Sequence, residues 1–475
     1  MNLFDTEFKR KFSISMYKNL KIALGEMTFL KDFVNTARGD LYPILQKSED
    51  CEEIVGNNLY TVTKGTVKRI FCNFFPYASY EVTAKITDGE IGFCFQLPNA
   101  EANVLVKKGK LVYFCGDNTK EAELPDFVQT DFTMVVSCRP GAFDIYFKKN
   151  NKPEFVCTFY EEKFEDSNQY ALFSNGYASL CAGGQVTVTE VLSYIDNGVS
   201  IADIRTIKYE NGEIMTEQGK VYFTASVRLQ ETALQGIFSW IPGTAEIQLT
   251  GALFYDCGDG KWRNYVAAVM LYHRENKQWY VWVSSFEHKH ILTYGKFEGE
   301  PRFGVNVVDV AFMKPATDAD DISAFSGFFR DEDPDFFYDE ENDRWLMAIC
   351  RNDLETKQYK YVFFESKDPF EGYTYIGKGY DGAETGGSFV KINGELFFVC
   401  GNAYSATSEY RIYSKNGMKK ATFNYPDGGF RGWGTVFPIK MGSRTRYFWL
   451  TFDRHNGSNY NWSYGNMYCF EADIL

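Results

Sequence analysis

The chain has 475 residues, 45% of them hydrophobic and 17% aromatic, with 32 Tyr, 43 Phe and only 13 Pro. That composition belongs to a folded chain and suits half-buried β surfaces better than helices, and the length predicts two domains. A net charge of −13 with no clustered Lys or Arg excludes a nucleic-acid binder, since phosphate contacts need such clusters, but leaves neutral ligands such as sugars open.

The N-terminal MNLFDTEFKRKFS lacks the apolar core of a secretory signal, and no run of about 18 apolar residues offers a membrane span. The 11 cysteines are odd in number and form no CxxC pair, which predicts reduced thiols and neither a disulfide framework nor a zinc site. Together these features predict a cytoplasmic protein, or a secreted one had a signal peptide been removed. Oligomeric state has no signature in the sequence.

Residues 1–50 read as a lead-in segment with a helix around Ile14–Lys31. Residues 51–195 carry short alternating strands such as YEVTAKITDGEIGFCFQL and TDFTMVVSCRPGAFDIYFKKN. Turn signals at KITDGE, FCGDN, CRPGA and KKNNKP separate them, as in an all-β sandwich. YIDNGVSIAD (194–203) is the expected hand-over to residues 196–475, where one pattern recurs. A polar or glycine turn precedes an aromatic strand in GKVYFTAS (219–226), KQWYVWVS (277–284), DRWLMAIC (343–350), GELFFVCG (394–401) and TRYFWLTF (445–452). Aligned on Tyr222, Tyr280, Leu346, Phe397 and Phe448, the steps are 58, 66, 51 and 51 residues. Such repeats mark β-propeller blades, so the predicted fold is all-β, a jelly-roll-like β-sandwich followed by a five-bladed β-propeller.

In a propeller, polar residues just before the inner strands converge on one pocket. FFRDEDPDFFYD supplies Arg330, Asp331, Asp333 and Asp335, and GAETGGSFVKINGE supplies Glu384. Asp333 precedes Trp345 by 12 residues and Glu384 precedes Leu396 by 12, so the two carboxylates are expected at matching places on neighbouring blades. Paired carboxylates are what glycosidic cleavage needs, one protonated and one ionised. In the first blade Asp203, Glu210 and Glu213 compete for the third place, and Asp203 is favoured by its neighbour Arg205. The run Asp331-x-Asp333-x-Asp335 is not an EF-hand, because Phe336 and Asn342 stand where Gly and Glu are required. His288 and His290 are two rings only, too few for zinc, and suit a surface role. In the last blade Trp433 offers an indole face to a sugar ring, and Arg431, Arg454 and His455 offer hydrogen bonds to hydroxyls.

An Arg-Asp-Pro-like element before an aromatic strand, then a Glu-led strand about fifty residues on, resembles the five-bladed glycoside hydrolases of families 32 and 43. The resemblance covers the propeller region only. It implies a hydrolase of furanoside or pentoside linkages (fructosyl, arabinofuranosyl or xylosyl) acting on oligosaccharides without metal or organic cofactor. It further implies Asp203 as nucleophile or base, Asp333 as the residue tuning the acid and orienting the sugar, and Glu384 as general acid. Two departures stand out. The element is split as Arg330-Asp331-Glu332-Asp333-Pro334, and Glu384 is followed by Thr385-Gly386 where the families commonly have Cys-Pro or Gly-Pro. The sandwich resembles lectin-like jelly rolls, so a non-catalytic carbohydrate-binding protein is the alternative. A glycoside phosphorylase is a third reading, with Arg205, Arg330 and Arg431 as its phosphate set.

Overall fold

The computed structural model describes residues 3, 6–24, 34–35, 40–41, 44–56, 59–288, 290–314, 329–353, 358–379, 383–402, 408–423, 434–452 and 465–472. Among these the chain is nearly all β, its one α-helical element being the single turn Tyr170–Phe173. No helix among the described residues is long and apolar enough to cross a membrane. The chain divides into two compact units: Lys21–Asp196 with Gly260–Trp262, and Met1–Leu20 with Asn197–Asp259 and Arg263–Leu475.

The unit that starts at Lys21 is built on two long strands, Ser79–Leu97 and Tyr177–Asp196, paired antiparallel along most of their length. Strands Ala100–Lys107 and Asp131–Arg139 extend from Ser79–Leu97, and Thr66–Asn73 and Leu59–Lys64 pair with Tyr177–Asp196. KITDGE, expected as a turn, instead lies inside Ser79–Leu97. Its backbone groups are claimed by the opposite strand, where Asp88 faces Gln185 and Gly89 faces Gly184. Gly89 cannot be anything else, since a Cβ there would run into the Gly183 carbonyl. Side chains alternate in and out on the flanking strands, and Tyr60, Val62, Tyr80, Phe93, Phe95, Tyr113 and Phe143 fill one apolar core. Trp262 completes that core against Tyr170 and Phe173.

The other unit consists of four-stranded antiparallel meanders. The first runs through Ser200–Thr206, Lys220–Arg228, Ala233–Trp240 and Ile247–Asp256, the second through Val269–His273, Gln278–Ser285, Ile291–Phe297 and Gly304–Phe312. Their last strands pair in parallel, so these two meanders form one continuous sheet. The third begins with Phe329–Asp339 and the fourth with Glu384–Ile392. The fifth has Thr435–Met441, Arg444–Phe452 and Asn466–Ala472, and its outer place is taken by Lys9–Ser15. All five aromatic repeats of the sequence lie on the second strands of these meanders.

The helix expected around Ile14–Lys31 is not formed in its described part. Lys9–Ser15 and Lys21–Ala23 are strands, while residues 25–31 lie outside the described residues. Ile14 is buried between exposed Ser13 and Ser15, a period of two, and the distant strand Asn466–Ala472 supplies the hydrogen bonds.

Aromatic layers join successive meanders. Trp282 stacks on Phe336 at 4.1 Å between the second and third, and Phe337, Tyr361, Phe389 and Phe398 share a cluster between the third and fourth. Val390, Phe397, Val436 and Trp449 do so between the fourth and fifth. Trp240 of the first meets Phe448 of the fifth edge-on at 5.3 Å, which closes the series on itself.

Candidate active site

The first strands of three meanders share a local irregularity. Strand pairing slips between Ala202 and Arg205, between Glu332 and Asp335, and between Thr385 and Ser388. In each slip one residue takes a left-handed backbone: Asp203 at φ 54°, Asp333 at φ 46° and Gly386 at φ 63°. Ala267, two residues before the second meander's first strand, does the same at φ 60°. A bulge of this kind turns a side chain out of the pleat, and Asp tolerates the left-handed region better than most residues.

This register corrects the expected match of Glu384 with Asp333. Asp333 lies five residues before Tyr338, which pairs with Trp345, and the residue five before Lys391, which pairs with Leu396, is Gly386. The count of 12 residues failed because it crosses unequal turns. The third meander closes its hairpin with residues 340–343, whereas the fourth uses only Asn393-Gly394, both at positive φ. Glu384 therefore matches Asp331, and both are fully enclosed and charge-paired.

Arg351 grips Asp331 with Nε at 2.9 Å and Nη2 at 3.1 Å. Glu384, with no exposed surface, accepts from the Tyr361 amide at 3.1 Å and from the Tyr413 hydroxyl, with the Arg411 guanidinium at 3.4 Å. These are the partners of carboxylates that hold strands together.

Asp203 and Asp333, each 6% exposed, lie within electrostatic reach of one another. Asp203 accepts from Ser226 Oγ at 2.6 Å and Arg228 Nη2 at 3.3 Å. Asp333 Oδ2 accepts from Thr385 Oγ1 at 2.8 Å and the Gly386 amide at 3.1 Å, while Tyr361 donates its hydroxyl to the Asp333 carbonyl at 3.2 Å. Burial, then the charge of Asp203, push the Asp333 carboxyl up to about 6, with Glu332 adding to the rise and Arg205 and Thr385 opposing it.

Arg205 is almost wholly buried next to Asp203, Asp333, Asp335 and Tyr361. Asp335 is already engaged, by Lys208 Nζ at 2.8 and 3.0 Å and by the Phe389 amide at 2.5 Å. Glu332 meets His290 Nδ1 at 3.0 Å beside Phe286, so one of the two flagged histidines borders the carboxylates.

Glu210 and Glu213, the other first-blade candidates, lie past the far end of the Ser200–Thr206 strand and both bind Arg274. Arg330 is exposed. Trp433, Arg431, Arg454 and His455 lie outside the described residues. Ser226, Arg228, Tyr361 and Thr385 escaped sequence reasoning: Ser226 and Arg228 reach Asp203 from the strand paired with its own, whereas Tyr361 reaches the Asp333 carbonyl from a non-adjacent strand of the same meander and Thr385 reaches the Asp333 carboxylate from the next meander. Among the described residues no group of three or more His, Cys, Asp or Glu is placed to hold a metal ion.

No family model and no curated protein matches the sequence. Among solved structures the chain is similar to an exo-β-1,3-galactanase from Phanerochaete chrysosporium with β-1,3-galactotriose, at 10% identity and a TM-score of 0.38. That match covers 56% of this chain and 60% of the other, so this chain spans less than two thirds of its length. It is similar to an exo-β-1,3-galactanase from Clostridium thermocellum at 10% identity and a TM-score of 0.40, over 57% and 63% of the two chains. It is also similar to the carbohydrate binding module CBM66 from Bacillus subtilis at 14% identity and a TM-score of 0.25, over 36% of this chain and 99% of that one.

Proposed function

We propose that the chain is a glycoside hydrolase whose meanders are the blades of a five-bladed β-propeller, with Asp203 and Asp333 as its working carboxylates. The unit that starts at Lys21 would be a lectin-like β-sandwich that binds carbohydrate. The observation that carries the reading is the pair itself: two buried aspartates on equivalent left-handed bulges, where burial first and the charge of Asp203 second favour a proton on Asp333. Below about pH 6 Asp333 carries the proton that a departing sugar oxygen needs. Asp203, fixed by Ser226 and Arg228, acts at the anomeric carbon directly or through a water. Glu384 is reassigned from general acid to a residue that positions the Tyr361 strand. Candidate substrates are the fructosyl, arabinofuranosyl and xylosyl linkages of the family resemblance, together with β-1,3-galactosides.

The test is chromatography of fructan, arabinan, xylan and β-1,3-galactan oligosaccharides after incubation with enzyme, with and without phosphate. The wild type is expected to release product without phosphate. Asp203→Asn and Asp333→Asn are expected to lose on the order of a thousandfold or more in rate, and Glu384→Gln to lose little beyond its loss of folded protein. A folded Glu384→Gln protein that is inactive, beside an active Asp333→Asn, would return the acid role to Glu384. Release only with phosphate would make the protein a phosphorylase. The enclosed, cation-paired state of Glu384 favours one competing reading, a carbohydrate-binding protein without catalysis. Sugar binding without any turnover across the panel is its signature.

A further inference from the structure

Arg205 is 2% exposed, and its Nη1 donates to the Ile204 carbonyl at 3.1 Å. Its Nε and Nη2, equally enclosed, have no hydrogen-bond partner. These two nitrogens form the side-on edge of the guanidinium, the fork that matches a pair of oxygens in one plane. A buried donor pair left unmade is costly, so a fold that keeps it needs a reason.

The surrounding charges do not supply the missing partner. Asp203 is committed to Ser226 and Arg228, Asp335 to Lys208 and the Phe389 amide, and Asp333 Oδ2 to Thr385 and the Gly386 amide. Glu332 faces His290, and the Tyr361 hydroxyl donates to the Asp333 carbonyl. Asp203 with Arg228 and Asp335 with Lys208 are neutral pairs. Once Asp333 is protonated, Arg205 loses one of the carboxylates that favour its charge.

We propose that Arg205 receives an oxyanion presented at the two aspartates, either the carboxylate of an acidic sugar or an inorganic phosphate. The first makes the protein selective for uronic acid units, and the second makes phosphate the acceptor of the glycosyl group. In the phosphate case the anomeric carbon–oxygen bond of the glycoside breaks and a carbon–oxygen bond to phosphate forms. Asp333 delivers the proton to the departing oxygen. This inference takes its location from the proposed glycosidase site, yet it concerns binding and is tested without turnover.

Isothermal titration of the full chain at pH 5.5 with galacturonate, galactose and inorganic phosphate separates the cases. Galacturonate binding about ten- to a hundredfold tighter than galactose is expected for the acidic-sugar source. In Arg205→Met that preference is lost. Arg205→Lys, which keeps the charge but not the fork, is expected to retain only part of it. Binding of phosphate, with no preference for galacturonate, assigns the site to the co-substrate. Wild-type protein that binds galactose as tightly as galacturonate and takes up no phosphate overturns the proposal, even if Arg205→Met fails to fold. Failure of the glycosidase reading shows up elsewhere, as absent turnover, and leaves these titrations interpretable.

Discussion

At Asp333 a left-handed backbone, near-complete burial and the charge of Asp203 act on one carboxyl, and protonation becomes part of the folded state. Its folded value of about 6 stands above the ordinary 3.8. The native chain therefore holds the proton more tightly than the unfolded one. The associated stability is present in full below the ordinary carboxylate range and is lost as pH rises through about 6, to the extent of about 2–3 kcal/mol. Asp333→Asn copies the protonated form and still accepts from Thr385 and Gly386. It is expected to exceed the wild type in stability by about that amount at pH 7.5 and to match it at about pH 3. Urea unfolding at both values checks this, and an equal increment at the two would refute it. Asp203, Arg205 and Asp333 were legible because acidic and basic residue types beside an aromatic strand attract notice. Glu384 was misplaced because distance along the chain is not distance along a sheet when two hairpins differ in length.

The element that sets the site is the slipped first strand, and its second unpaired residue matters as much as its first. After left-handed Gly386 comes Gly387, where a Cβ would overlap the rings of Phe398 and Tyr361. The Gly387 amide also donates to the Tyr361 hydroxyl, whose own proton goes to the Asp333 carbonyl. Gly387→Ala is thus expected to cost about 2–3 kcal/mol and to lower turnover per folded molecule by shifting Tyr361. Thermal unfolding and active-site titration together separate the two effects, and a variant as stable as the wild type would contradict the argument. The repeated aromatic strands were legible from composition and spacing. Bulges were not, because a bulge is a property of two strands at once, and nothing in TGGS alone distinguishes a slip from a turn. KITDGE misled in the opposite direction, its turn-like residues being absorbed into a strand by a long partner.

For the molecule as a whole, the strand pattern of the sequence changes near residue 196, where one compact unit ends, but nothing in it marks the place of the N-terminal strand. Lys9–Ser15 occupies the outer place of the fifth meander, with Lys9 facing Glu471 and Ser15 facing Asn466. Phe8 packs edge-on against Trp449 at 6.0 Å. A chain lacking residues 1–15 is expected to unfold several degrees lower, and a synthetic peptide of those residues added in excess is expected to restore most of the loss. No change on truncation, or no rescue by the peptide, would count against the strand as a closing element.

That closure also has a consequence for biosynthesis. The strand leaves the ribosome well before its partner Asn466–Ala472, so it stays unpaired while the intervening chain is translated. A lone strand in that interval would template intermolecular association. Lys9, Arg10 and Lys11 at its start are the sort of residues that keep a waiting edge apart from other nascent chains. At the end, Lys11 lies 3.6 Å from Glu471 and Arg10 sits over the Tyr468 ring.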